Sequence, residues 1–297
     1  MDIALQPVPV ETRTDPTPAP RRGRRTNRAQ RIFGYAAITV AAAAVLLPFY
    51  WMLMSSLKTN NEVFTIPVTW LPESFVWSNY VDIWQKSEMT TWLRNTLVLA
   101  VAVTVLQVVT GSFAAYGFAK VRFPGRNLLF LAYIATIAVP RQSYMIPQFV
   151  LMSKLGLPDT LWSIIALQAF GAFGVFLMKQ FYESIPDELV DAARIDGMSE
   201  YGIYRRIMLP LSVPALASLT LLTLVTTWND YLGPLLYLRS HSLWTVQIGL
   251  KSFISQYNAE YALIMTGSVL SVLPIAVIFL LGQRYFVEGV ATTGLKG

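Results

Sequence analysis

Two groups of residues in this sequence have the types and spacing to do chemistry. The first is TTWNDY (Thr226–Tyr231), which sets Trp228, Asn229, Asp230 and Tyr231 late in a long apolar stretch, with Arg141 in a comparable place in another. An acid or a base inside an apolar span costs about 3 kcal/mol or more, so such residues mark solute or ion routes and pair with one another. Asp230 and Arg141 therefore either line an outward vestibule, or pair with each other or reach the outer interface and never touch solute. The second group is PDELVDAARIDGMSEYGIYRRIMLPL (Pro186–Leu211), which carries eight charged side chains between apolar runs. Its acids stand beside Ala192 and Ala193, small residues over which another surface can approach closely. Its chemistry is recognition. Bond-making chemistry has little material: the chain holds one histidine, His241, and no cysteine, too little for a thiolate zinc site or a Ser-His-Asp arrangement. No G-x-x-x-x-G-K-[ST] phosphate loop occurs, so the chain has no nucleotide-hydrolysing site of that kind.

The elements that must position these residues follow from composition. Of 297 residues, 54% are hydrophobic and 13% charged, about half the charged share of a soluble domain. A membrane-crossing helix needs about 20 apolar residues, and six runs qualify, near Phe33–Leu57, Leu93–Ala119, Asn127–Ile146, Thr160–Phe181, Val213–Leu238 and Tyr261–Tyr285. The third is interrupted by Pro140, Arg141, Gln142 and Ser143, and broken helix at membrane depth survives only where it faces protein or water. The fold class is all-α, a polytopic membrane protein of six transmembrane helices. Most of the 23 Lys and Arg fall in the N-terminal segment, at Lys120–Arg126, at Lys179–Arg206 and near the C-terminus. The positive-inside rule then puts both termini and the central charged segment in the cytoplasm.

Residues 1–32 are polar, Pro-rich and end in Arg21, Arg22, Arg24, Arg25, Arg28 and Arg31, a composition that reads as a disordered basic tail. A twin-arginine signal is the alternative reading, against which stand the length of the next span and the lack of a small-residue cleavage site. Residues 286–297 read as a short cytoplasmic tail. The first outer loop carries Trp70, Trp77, Trp84 and Trp92, read as interfacial anchors, with a docking surface for an external partner as the sharper alternative.

Within the central segment, Ser184 is placed to cap a helix whose first turn holds Pro186, Asp187 and Glu188. Gly197 is a natural stop; Ser199 opens a second short helix, which Pro210 closes. The expectation for residues 184–210 is a helix–Gly–helix elbow at the membrane surface, with Gly197 in a left-handed conformation. A surface helix resting in headgroups is disfavoured by the acids, which anionic lipids repel.

At these residues the sequence resembles the cytoplasmic "EAA" loop of permease subunits in ABC importers, most nearly the carbohydrate type. NTLVLAVAVTVLQVVTGSFAAYGFAKVRFPGRN (Asn95–Asn127), KLGLPDT (Lys154–Thr160), TTWNDYLGPLLYL (Thr226–Leu238) and QRYFVEGVATTGLKG at the C-terminus are also similar to that family's segments. The resemblance implies the ABC importer permease fold in a prokaryotic cytoplasmic (inner) membrane. It also implies a second permease subunit, an ATPase dimer and an external solute-binding protein as partners. Glu188, Asp191, Ala192, Ala193, Asp196 and Gly197 would then form the surface that the ATPase cradles. ATP and Mg would be bound by the ATPase, with no cofactor in this chain. Trp228 or Tyr231 would stack on a sugar ring. Two departures stand out: Asp191 replaces the leading Glu of the EAA triplet, and Thr293-Gly294 stands where the family has Gly-Ala. Other solutes of the same machinery, a phosphorylated polyol or a polyamine, remain alternatives. An ion-coupled transporter would place its charges nearer the midplane, and a membrane enzyme lacks a constellation.

Overall fold

The computed structural model describes residues 28–254 and 259–294. The N-terminal arginines before Arg28 and the final Leu295–Gly297 lie outside the described residues.

Four helices are long and apolar enough to cross a membrane: Arg31–Ser55, Met89–Lys120, Leu161–Ser184 and Tyr261–Gln283. The number is up to six if each of two bent pairs is counted as one span: Arg126–Ala138 with Arg141–Lys154, at 101°, and Glu200–Leu211 with Val213–Trp228, at 79°. Among the described residues there is no β-strand, only an isolated bridge between Ile254 and Ala259. In chain order the principal helices are α1 (Arg28–Ser55), α2 (Asn79–Lys86), α3 (Met89–Lys120), α4 (Arg126–Ala135), α5 (Arg141–Lys154), α6 (Leu161–Gln168) and α7 (Ala172–Ser184). They continue with α8 (Asp187–Ile195), α9 (Glu200–Leu211, with a π turn at Tyr204–Met208), α10 (Val213–Trp228), α11 (Leu232–Tyr237), α12 (Val246–Ser252) and α13 (Tyr261–Gly294). The chain divides at Pro48 into two units, the first ending within α1.

In the larger unit α3 is the central strut, packed against both α7 and α10, and α10 also packs on α13. Three buried clusters lie along α3. Met89 and Trp92 meet Ile83, Val246 and Leu263. Leu99 and Val103 meet Ile164, Ile165 and Tyr237. Ala115 and Tyr116 meet Val175, Met178, Tyr182 and Leu219. Without a hydrophobic force between helices in lipid, close backbone approach stabilises such packing. α3 and α7 approach closely at Gly111, where a Cβ would stand in ordinary contact with the Gly174 backbone at 3.5 Å.

Several boundaries differ from the sequence reading. The first helix begins at Arg28, so Arg28 and Arg31 are helical rather than tail, and α13 continues to Gly294 through residues read as a C-terminal tail. The fourth apolar run of the sequence reading (Thr160–Phe181) is interrupted at 169–171 and the fifth (Val213–Leu238) at 229–231; neither stretch holds the proline that exposed the third. Trp70, Trp77 and Trp84 are exposed, as interfacial residues should be, but Trp92 is 4% exposed and belongs to the core.

Lys120 reaches the chain at Ile185 and Asp187, so the loop after α3 and the charged central segment share one end of the bundle. Their side of the membrane is open to a direct test, because the chain has no cysteine. Cysteine introduced at exposed Ser78 is expected to react with an impermeant thiol reagent in sealed right-side-out vesicles. Cysteine at exposed Tyr201 is expected to react only after lysis. Reaction of Tyr201→Cys in sealed vesicles would reverse the orientation.

Candidate functional site

The central segment folds as an elbow of two short helices. Pro186 occupies the N-cap of α8 with Asp187 and Glu188 in the first turn, where carboxylates complement the positive end of the helix dipole. Ser184 does not cap it: its hydroxyl donates to the Phe181 carbonyl of α7 at 2.7 Å. The end of α8 is closed by the amides of Asp196, Gly197 and Met198, which donate to Ala192, Arg194 and Ala193. Gly197 sits there at φ +80°, the left-handed conformation that glycine adopts at little cost. Ser199 then caps α9, its Oγ accepting the Gly202 amide at 3.2 Å. Pro210 does not close that helix, which runs through the π turn to Leu211 and hands over to α10 at Ser212.

One face of α8 is committed to the protein interior. Val190 and Ala193, at 1% and 6% exposure, pack in the cluster of Tyr116, Tyr182, Ile203, Tyr204 and Met208. Its neighbours in sequence place Ala193 on the docking face; the turn of about 100° between successive helical residues instead points it inward. Glu188, Leu189, Asp191, Ala192, Ile195 and Asp196 point away from the core, and Ile195 is 86% exposed.

A polar latch ties this elbow to α3. Lys120 Nζ, on a side chain 3% exposed, donates to the Ile185 carbonyl at 2.7 Å and to Asp187 Oδ1 at 2.5 Å. Arg194 donates to the Lys120 carbonyl at 2.9 Å, to Asp191 at 3.0 Å and to Glu200 Oε1 at 2.8 Å. Glu200 Oε2 accepts the Tyr116 hydroxyl at 2.5 Å. The Lys120 ammonium holds the Asp187 carboxyl below the usual carboxylate range. An acid depressed in this way favours the folded latch above its ordinary titration range, and that contribution is lost as pH falls through its lowered value. Neither Tyr116 nor Lys120 was singled out as a functional residue from sequence. The signal was faint: both look like ordinary residues at the inner end of a span.

The second candidate site lies where three spans break. The third breaks at Val139-Pro140, the fourth at 169–171 and the fifth at 229–231, and their ends meet at one carboxylate. Asp230 accepts Arg141 Nη1 and Nη2 at 3.4 and 3.2 Å, Gln168 Nε2 at 2.7 Å and the Gly233 amide at 3.2 Å. Carbonyls freed by the break in the fourth span are met from α3: Gln107 donates to Gln168 and Thr110 to Ala169. Backbone broken at membrane depth needs such partners. A cavity of about 280 Å³ opens beside this junction, lined by Arg141, Tyr144, Gln148, Thr226, Thr227 and Asp230 among others. A neighbouring cavity of about 440 Å³ shares Tyr144 and Phe170 with it.

Arg141 and Asp230 therefore do both things the sequence allowed: they pair, and they face a cavity. Trp228, placed in the pathway by sequence, is 2% exposed and donates to Ser271 on α13; it packs α10 against α13 rather than facing open space. Asn229 bonds the Val225 carbonyl and Gln247, and neither it nor Tyr231 lines the cavity.

Comparison with known proteins fits this geometry. Residues 107–292 match the family described as the binding-protein-dependent transport system inner membrane component. The chain is 34% identical to the arabinooligosaccharides transport system permease protein AraQ of Halalkalibacterium halodurans, over 89% of this chain and 95% of that protein. It is also 34% identical to the sn-glycerol-3-phosphate transport system permease protein UgpE of Pectobacterium atrosepticum, over 87% and 95%. Among solved structures, a chain of a bacterial ABC transporter that imports the acidic polysaccharide alginate superposes with a TM-score of 0.76 at 27% identity, covering 87% of this chain and 98% of that one.

Proposed function

Because the chain belongs to the family of binding-protein-dependent transport system inner membrane components, we propose that it is one permease subunit of an ATP-driven importer for sugars or oligosaccharides. Permeases of this kind carry solute and leave ATP hydrolysis to separate subunits. The observation that carries the reading is the elbow: a charged helix pair that buries one face in its own core and exposes the other, with Ile195 on it.

On this reading Glu188, Leu189, Asp191, Ala192, Ile195 and Asp196 meet an ATPase dimer that binds ATP and Mg. When the dimer closes on ATP, it displaces α8. The displacement reaches α10 through α9, which continues into it at Ser212, and reaches α3 through Lys120, Arg194 and Glu200. The cavity beside Asp230 is this chain's share of the solute route, and a second permease subunit supplies the rest. An external binding protein delivers solute on the far side. The acidic polysaccharide and the phosphorylated polyol handled by relatives make the same machinery for an anionic solute a second reading, to which the charge of the cavity speaks below.

Purification of the intact complex from native membranes, followed by identification of its companions, tests the assignment. An ATPase and a second permease are expected to co-purify in stoichiometric amounts. A chain that purifies alone, in a form that still moves solute, would overturn it.

A further inference from the structure

Resting on the reading of the cavity as solute route, we infer that this chain's wall of the route is built for an uncharged, polyhydroxylated solute and against an anionic one. The cavity beside Asp230 is bordered by ten residues, of which Arg141 and Asp230 alone carry formal charge. The adjoining cavity, between the third and fourth spans, is bordered only by uncharged residues. The two charges cancel at close range.

The cancellation is built in. An ionised carboxylate offers about four acceptor positions, and Asp230 uses them on both Arg141 nitrogens, Gln168 and Gly233. Its side chain is only 10% exposed, against 39% for Arg141. Asp230 takes two of the five guanidinium donors and neutralises the charge, so an anionic solute would have to share Arg141 with a second carboxylate lying close enough to repel it. A neutral solute makes no such demand. Tyr144, Gln148 and Thr226 offer amide and hydroxyl groups, and Phe170, 70% exposed, offers an apolar ring face. This combination of a few polar groups with an aromatic wall suits a sugar ring.

The pairing also has a mechanical side: Asp230 joins the first residue of α5, the last of α6 and the start of α11. A solute that captured Arg141 would release α5 from this junction while Gln168 and Gly233 stayed on Asp230. A neutral solute passes with the junction closed.

The absence of cysteine permits the test. A single cysteine replacing Gln148, in the purified complex in nanodiscs, is reacted with a cationic and an anionic methanethiosulfonate reagent, and incorporation is read on this chain. The ratio of the two rates is expected to match that of a free thiol within about threefold. Adding Asp230→Asn should shift it toward the anionic reagent by about tenfold, the effect of one unpaired charge at this range. A cavity that already prefers one charge by tenfold in the single-cysteine protein overturns the inference. The same cysteine is then challenged with neutral trisaccharides (malto-, cello- and xylotriose) and with trigalacturonate. Protection by a neutral sugar and not by trigalacturonate is expected. Equal protection by trigalacturonate overturns the inference while leaving the route in place; protection by none removes the route reading itself, and the inference with it.

Discussion

Gly197→Val is expected to abolish the response of ATP hydrolysis to solute while the chain still inserts and assembles its membrane core. The glycine sits at φ +80° with nothing within 4 Å of where a Cβ would stand. The substitution therefore meets no steric neighbour, and its whole effect is backbone strain. A β-branched residue in the left-handed region costs of order 1–3 kcal/mol, enough to rotate α9 away from the axis that the Ser199 cap and the closing bonds to Ala192, Ala193 and Arg194 define. Because the strain is conformational, the substitutions should rank by their tolerance of positive φ: Asn, then Ala, then Val, from mild to severe. Solute-stimulated ATPase activity of the reconstituted complex reads that order. A flat series, with Val as good as Asn, would show that the bend at Gly197 does not set the elbow's angle.

Lys120→Met is expected to have the next largest effect. The ammonium is the buried member of its pair and holds both the Ile185 carbonyl and Asp187. Methionine fills much of its volume but donates nothing, so a buried carbonyl loses its partner and α8 loses its tie to α3. Removing one partner of a buried charged bond is costly because of what it leaves unpaired. The ATPase should still bind, since the outward face of α8 is untouched. Transport per ATP hydrolysed should fall roughly tenfold or more, the size of a typical coupling free energy between sites. Glu200→Gln, which keeps the side chain's shape but breaks its ion pair with Arg194, should fall between Lys120→Met and the parent. Loss of ATPase binding in Lys120→Met would instead mean that the latch shapes the docking face. Normal coupling in both variants would mean that force enters the bundle through α10 alone.

Much of this was legible in the sequence because the residues that carried it act locally. A glycine after an α-turn, a serine ahead of Glu200 and acids in a first turn fix the elbow without reference to anything distant, so its left-handed Gly197 and Ser199 cap were readable. Ser184 failed as a cap because α7 holds its hydroxyl on the Phe181 carbonyl, a competition that spacing alone does not decide. Ala193 was misplaced for a different reason: two adjacent alanines look alike in a sequence, but a helix shows only one of them outward. Pro140 exposed the break in the third span. The polar Thr226–Tyr231 marked an interruption in the fifth, but the fourth has no proline or charge to mark it, and its freed carbonyls are met by Gln107 and Thr110 from α3. The meeting of those breaks at Asp230 is a tertiary fact, as is the burial of Trp228 against α13. The latch was hidden by the same logic, because its six side chains come from three elements.

The claim on which the rest depends is that the outward face of α8 is where ATP hydrolysis is coupled to this chain. Ala192→Trp tests it most directly. The position faces away from the core, so the substitution leaves the elbow's packing, its Gly197 bend and its latch intact while obstructing close approach of another protein. The measurement is ATP hydrolysis by the reconstituted complex with and without the loaded binding protein, alongside a check that the elbow variant is inserted and folded. Collapse of the stimulated rate to the unstimulated level is expected. A stimulation ratio equal to that of the parent, with the tryptophan in place, would contradict the assignment of this face to the ATPase.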